Sequence, residues 1–198
     1  MLTLYDCKDS GNAYKVRLLL HQLERPFRSV EMDIDHGATR TPAFLAKNPN
    51  GRIPLLELED GRLLAESNAI LFFLAEGTRL FPTDPWQRAQ AMQWLFFEQY
   101  SHEPNIATVR YWINHDRPHD PKLLESKRAQ GRAALAVMDE HLRARAFFAG
   151  DAYSIADIAL YAYTHVAEQG GFDLSPYPAV GAWLARVAAQ PRHVTITA

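Results

Sequence analysis

With 198 residues, 47% of them hydrophobic and 22% charged, the chain is long enough for one large domain or two small ones sharing a core, and its composition excludes a disordered protein. A formal net charge of −2 with scattered basic residues gives no general attraction to nucleic acid or to an anionic membrane. A single cysteine excludes an intramolecular disulfide and a four-cysteine zinc site.

Leu2 to Asp6 is a short apolar strand. From Ala13 to Leu23 the residues Val16, Leu19, Leu20 and Leu23 recur at three- and four-residue intervals, which predicts an amphipathic helix ended by Pro26. Val30, Met32 and Ile34 then alternate with polar residues and predict a half-buried strand. Thr41-Pro42 opens a helix with proline at its first position, and the helix runs out before Pro49. Two apolar stretches follow, separated by Asp60-Gly61; this dipeptide signals a hairpin because glycine takes φ > 0 without steric cost. Ile53-Pro54 stands just before the first of these strands, where proline is tolerated and a cis bond is expected. Glu66-Ser67 then opens a helix reaching about Glu76, placing a carboxylate and a hydroxyl beside the N–H groups of a helix start.

These elements sum to β-α-β-α-β-β-α: strands joined through a helix favour parallel pairing, and the hairpin adds an antiparallel pair. A strand edge at Ile53 and a helix N-terminus at Ser67 converge on one concave site suited to a peptide-like ligand that carries a carboxylate.

Residues 78–84 form a connector. Beyond it strand signals disappear. A long helix begins at Asp84-Pro85 and is expected to bend at Pro104. A second runs from about Pro121 to Ala146, with Leu124, Leu135, Met138 and Leu142 on one stripe. At Tyr153-Ser154-Ile155-Ala156-Asp157-Ile158, Ser154 caps a third helix with Asp157 three residues on, and Tyr153 is placed to pack on Ile158. A last helix lies between Pro178 and Pro191. The expected division is therefore 1–77 for the α/β half and 85–198 for the helical half.

The ordered set of Ser10-Gly11-Asn12, Asn48-Pro49-Asn50-Gly51-Arg52-Ile53-Pro54 and Glu66-Ser67, followed by an all-helical half, resembles the glutathione S-transferase family over nearly the whole chain. The resemblance implies a thioredoxin-like N-terminal domain followed by an all-α C-terminal domain, glutathione as co-substrate without a metal, and a homodimer. In that family the glutathione sulfur is held as a thiolate and attacks an electrophile. Lowering a thiol pKa of about 8.5 by roughly two units requires about 2.7 kcal/mol. One charge-assisted hydrogen bond contributes about 1.5–3 kcal/mol, and a helix N-terminus about 0.3–1 kcal/mol. One donor at the start of the first helix is therefore sufficient.

Ser10 matches the serine of many family members and Asn12 an asparagine of a bacterial and fungal branch; both residue types also serve simply as helix caps. By resemblance, the Ile53 main chain pairs with the cysteinyl unit before Pro54, Glu66 meets the γ-glutamyl ammonium, and Ser67 meets its carboxylate. Arg52 and Arg40 are candidates for the glycine carboxylate, although arginine is ordinarily a solvated surface residue. Tyr100, Asn105 and Trp112 are candidates for the second-substrate site between the halves, against the bland alternative that they belong to the core.

Cys7 falls three residues before the position that the cysteine-type relatives use, and no Cys-x-x-Cys pair exists, so it reads as a strand-end packing residue. The histidines form no ligand set. The activity expected is glutathione conjugation to an electrophilic small molecule. The alternatives are glutathione-dependent reduction of a small disulfide, or a non-catalytic protein of the same fold. No nucleic-acid or membrane partner is expected, since no segment approaches the roughly 18 apolar residues of a membrane span, and a cytoplasmic location follows from the same absences together with the missing basic leader.

Overall fold

The computed structural model describes residues 1–198, which divide into two compact units. The first comprises Met1–Glu76 together with Pro191–Ala198, and the second Gly77–Gln190. The helices of the expected second half lie in the second unit, but residues 191–198 do not: they return to the first.

In the first unit, β1 (Leu2–Asp6) is followed by α1 (Gly11–Gln22), β2 (Phe27–Glu31), α2 (Pro42–Leu45), β3 (Leu55–Glu57), β4 (Leu63–Ala65) and α3 (Ser67–Ala75). The sheet order is β2-β1-β3-β4, with β2 parallel to β1 and β3 antiparallel to both β1 and β4. The crossover through α1 and the Asp60-Gly61 turn, where Gly61 has φ +84°, produce the parallel and antiparallel pairs that the sequence predicts.

β2 lies earlier than the alternation of Val30, Met32 and Ile34 predicts. Its ladder pairs Leu2 with Phe27 and ends at Asp6 with Glu31, so β1 has no residues left to extend it; Met32 adds one bond, its N–H to the Asp6 carbonyl at 2.7 Å. The amphipathic reading of α1 also changes. Gly11, Ala13 to Leu20 and Gln22 are all buried, so Lys15 and Arg17 lie inside the unit with the leucines.

Arg17 Nη1 meets both carboxylate oxygens of Asp6 at 2.6 and 2.7 Å, while Nη2 donates to the carbonyls of Lys8, at 2.9 Å, and Ile196. Tyr14 is also fully buried, and its hydroxyl donates to the Val194 carbonyl at 2.7 Å. The C-terminal segment is thus fastened to α1 by two side chains of that helix.

The second unit contains α4 (Pro85–Phe97), α5 (Glu103–Asn114), α6 (Pro121–Leu142), α7 (Ile155–Thr164) and α8 (Pro178–Ala188). The expected bend at Pro104 takes a different form. A π-helical turn over Glu98–His102 separates α4 from α5, and Pro104 falls in the first turn of α5, directly after the wider turn that accommodates a residue without an N–H.

Ser154 and Asp157 form the predicted capping box of α7. Asp157 is fully buried and also accepts from the Phe148 N–H at 3.1 Å and Trp183 Nε1 at 2.9 Å, joining α7 to α8 and to the loop after α6.

Candidate functional site

Each of the segments singled out in the first unit ends at a helix start or a turn. Ser10 is the N-cap of α1 with extended backbone, φ −77° and ψ 117°, and its Oγ accepts from the Ala13 N–H at 3.3 Å. The capping role therefore engages Ser10. Asn12, half-buried in the first turn, points to a different environment. Its Oδ1 accepts from Lys15 Nζ at 2.8 Å and from the Ser67 hydroxyl at 3.3 Å, and Lys15 Nζ also reaches Ser67 Oγ at 3.3 Å. These three side chains form a triangle that links the first turn of α1 to the first residue of α3.

Lys15 was not among the residues picked from the sequence. It is fully buried. The available signal was its three-residue spacing from Asn12, which puts both on one face of a helix; the third member, Ser67, lies too far along the chain for that rule.

The Ile53-Pro54 peptide bond is cis. Ile53 is half-buried and lies just ahead of β3, so its main chain precedes the ladder that begins at Leu55. Asn48 is buried and holds the approach to this bond: its Nδ2 donates to the Arg52 carbonyl at 2.8 Å, and its Oδ1 accepts from the Asn50 N–H at 3.1 Å. Gly51 adopts φ +61°, where a side chain is strained, and a Cβ there would stand 3.0 Å from the Thr39 carbonyl and displace the tip of the flexible Arg40 side chain. Arg40 Nη1 donates to the Asn50 carbonyl at 3.1 Å, and both Arg40 and Arg52 are exposed.

Glu66 is the N-cap of α3 with φ 68° and ψ 113°, a conformation that costs a non-glycine residue about 1–3 kcal/mol. Its side chain is exposed and makes no cap bond, while Ser67 beside it is 5% exposed. The backbone turn thus separates a carboxylate facing solvent from a buried hydroxyl.

Cys7 follows β1, and burial together with the neighbouring carboxylates of Glu31, Asp6 and Asp9 pushes its thiol pKa up, the reverse of what a nucleophilic thiol needs.

The structure brings Ser10, Asn12 and Ser67 into one half of the first unit through α1 and α3, which pack on each other. Tyr100, Asn105 and Trp112 occupy three unlike environments in the second unit. The Tyr100 ring is 87% exposed, Asn105 is buried and donates to the Ser101 carbonyl at 2.7 Å, and the Trp112 ring stacks on His119 at 5.5 Å between centroids.

A four-stranded mixed sheet with a cis-proline before its third strand, followed by a helical unit, defines a thioredoxin-like domain joined to an all-α domain. The family model for the glutathione S-transferase N-terminal domain matches residues 1–76, and that for the C-terminal domain matches residues 91–191. The chain belongs to the glutathione S-transferase family. It is similar to the disulfide-bond oxidoreductase YfcG of Escherichia coli strain K12, with 31% identity covering 96% of this chain and 92% of that protein. Its structure is similar to that of a glutathione S-transferase from Pseudomonas fluorescens Pf-5, with a TM-score of 0.96 and 50% identity, covering 100% of this chain and 99% of that one. A second glutathione transferase family member from that organism, with two glutathione bound, has a TM-score of 0.84 and 27% identity, covering 96% of this chain and 89% of that one.

Proposed function

We propose that the protein is a glutathione transferase that binds glutathione with its sulfur at the start of α1, keeps it as a thiolate and directs it at an electrophilic small molecule. The observation that carries this reading is the Asn12–Lys15–Ser67 triangle, which joins the two helix starts that a thiolate and a carboxylate of one ligand would both use. On this reading Asn12 is the principal thiolate donor, because Lys15 and Ser67 both hold its amide in place, while Ser10 Oγ, which accepts the Ala13 N–H, keeps its own O–H as a second donor. The Ile53 main chain pairs with the cysteinyl unit, Glu66 takes the γ-glutamyl ammonium, and the Ser67 N–H takes the carboxylate. Arg52, with Arg40 behind it, lies toward the glycine end. Among the second-substrate candidates Tyr100 is favoured, since Asn105 donates back to the Ser101 carbonyl in the π turn and Trp112 is stacked.

In conjugation the thiolate lone pair forms a C–S bond to the electrophilic carbon, and the leaving group departs with its bonding electrons. A second reading is reduction of a small disulfide, favoured by the likeness to a disulfide-bond oxidoreductase and to a family member holding two glutathione molecules. There the thiolate attacks one sulfur and the S–S bond breaks. A second glutathione then displaces the remaining thiol, leaving oxidised glutathione and two product thiols. The same reading makes the protein a cytoplasmic homodimer; the exposed Trp86 and Phe96 of α4 offer an apolar face for a second copy.

Turnover of a chlorinated nitroaromatic and of a hydroxyethyl disulfide, measured side by side with glutathione, tests both readings. A thiolate ultraviolet band on adding glutathione, with turnover of the nitroaromatic, is the expected result. Turnover of the disulfide alone selects the second chemistry, and glutathione binding without either activity leaves a non-catalytic protein of this fold.

A further inference from the structure

Lys15 stands in a place where a lysine is costly. Its side chain is fully buried in the middle of α1, among residues that are almost all buried, although an ammonium removed from water requires polar partners in return. Two of those partners are neutral oxygens of residues already placed at the site: Asn12 Oδ1 at 2.8 Å and Ser67 Oγ at 3.3 Å.

An ammonium has three donors and no acceptor, whereas a primary amide has an acceptor end and a donor end. The end of Asn12 that meets Lys15 must therefore be its oxygen, and the Ser67 hydroxyl, which accepts from Lys15 Nζ, is left to donate its proton to the same oxygen at 3.3 Å. The –NH2 end is the opposite arm of the same planar amide. Without Lys15 the amide could rotate by half a turn and present its oxygen to an approaching sulfur, which repels a thiolate instead of stabilising it.

We infer that Lys15 is a positioning residue of this site: by binding Asn12 Oδ1 and Ser67 Oγ together it fixes the Asn12 amide with its N–H donors toward the ligand sulfur. The inference rests on the reading of Asn12 as the thiolate donor and adds the group that makes it one. Lys15 does not touch the sulfur. It acts through Asn12, and that sets its test apart from that of a cation acting directly.

The apparent pKa of glutathione bound to the protein, followed by the thiolate band, is compared for the unaltered chain and for Lys15→Met, Lys15→Gln, Asn12→Ala and Lys15→Met/Asn12→Ala. In Lys15→Met the bound thiol's pKa rises by about one unit and kcat/KM at neutral pH falls about tenfold, while KM for glutathione changes less than about threefold. In Lys15→Gln, which keeps a neutral donor, part of the loss returns. On the Asn12→Ala background, Lys15→Met produces no further shift.

An equal pKa shift with and without Asn12 would overturn the inference, and so would an unshifted pKa in Lys15→Met. Should the substituted proteins not fold, the unaltered chain decides: the Asn12 side-chain N–H2 protons are expected to show nuclear Overhauser contacts to bound glutathione and none that are strong to the Lys15 Hε protons, and strong contacts to Lys15 Hε refute the inference. A chain that gives no thiolate band at all fails the functional reading itself, a result distinct from any of these.

Discussion

Arg17 and Asp6 form an ion pair in which both side chains are almost completely buried, at 4% and 1% exposure, with Nη1 within 2.7 Å of both carboxylate oxygens. The pair locks α1 onto the end of β1 and so fixes the helix start at which Ser10 and Asn12 stand. Removing one charge leaves the other buried without its counter-ion. Arg17→Met is expected to lower stability by about 3–5 kcal/mol, whereas Asp6→Leu/Arg17→Met together lose less than Arg17→Met alone. Urea midpoints of the three proteins measure the difference.

The Asp157 carboxyl carries a pH dependence. Burial pushes its pKa up to about 6 from an ordinary 3.8, while hydrogen bonds from Trp183, Ser154 and Phe148 hold it down from a higher value. A carboxyl whose pKa is higher folded than unfolded supports the fold most below the unfolded pKa and loses that support as pH rises through the folded one. The thermal midpoint of the unaltered chain should therefore contain a component that falls between about pH 4 and pH 7. Asp157→Asn is expected to be less stable at every pH, because an amide nitrogen faces donors, yet to lack that component. An unchanged slope in thermal melts at pH 4.5, 6 and 7.5 refutes it.

Ser10 and Asn12 are separable by paired measurements. Ser10→Ala removes the oxygen that caps Ala13 and is expected to cost about 1 kcal/mol of stability, with at most a few-fold loss of kcat/KM. Asn12→Ala leaves the cap in place and is expected to lose about ten- to a hundredfold in kcat/KM, a change of about 1.4–2.8 kcal/mol. The reverse pattern in chemical denaturation and initial-rate assays transfers the donor role to Ser10.

Glu66 sets stability against binding. With φ 68° it holds a conformation that glycine adopts without penalty. Glu66→Gly should raise the unfolding free energy by about 1 kcal/mol while weakening glutathione binding about tenfold by deleting the carboxylate that meets the ammonium. Calorimetric titration read beside the denaturation midpoint checks both directions at once.

Much of the fold was legible because short-range chemistry marks it. The Asp60-Gly61 turn, the Thr41, Asp84 and Ser154 caps and the proline at position 54 each specify a local geometry that the structure adopts. The strand at residues 27–31 was misread because alternation reports what side chains could do on a sheet, whereas its span is set by the length of β1, a partner more than twenty residues earlier. The interior of α1 was misread for a similar reason. Lys15 and Arg17 look like surface charges until Asp6, Ser67 and the Ile196 carbonyl are brought to them from elsewhere in the chain. The candidate site was legible as a set of segments, while the side chain joining two of them was not.

Tyr14 and Arg17 close on the carbonyls of Val194 and Ile196, so the first unit to leave the ribosome is the last to be finished. While the helical unit is still being translated, the Tyr14 hydroxyl lacks the Val194 carbonyl and Arg17 Nη2 has the Lys8 carbonyl but not that of Ile196. An extension fused after Ala198 would hang a few residues from that clasp, and the helix it tugs on is the one that carries Asn12.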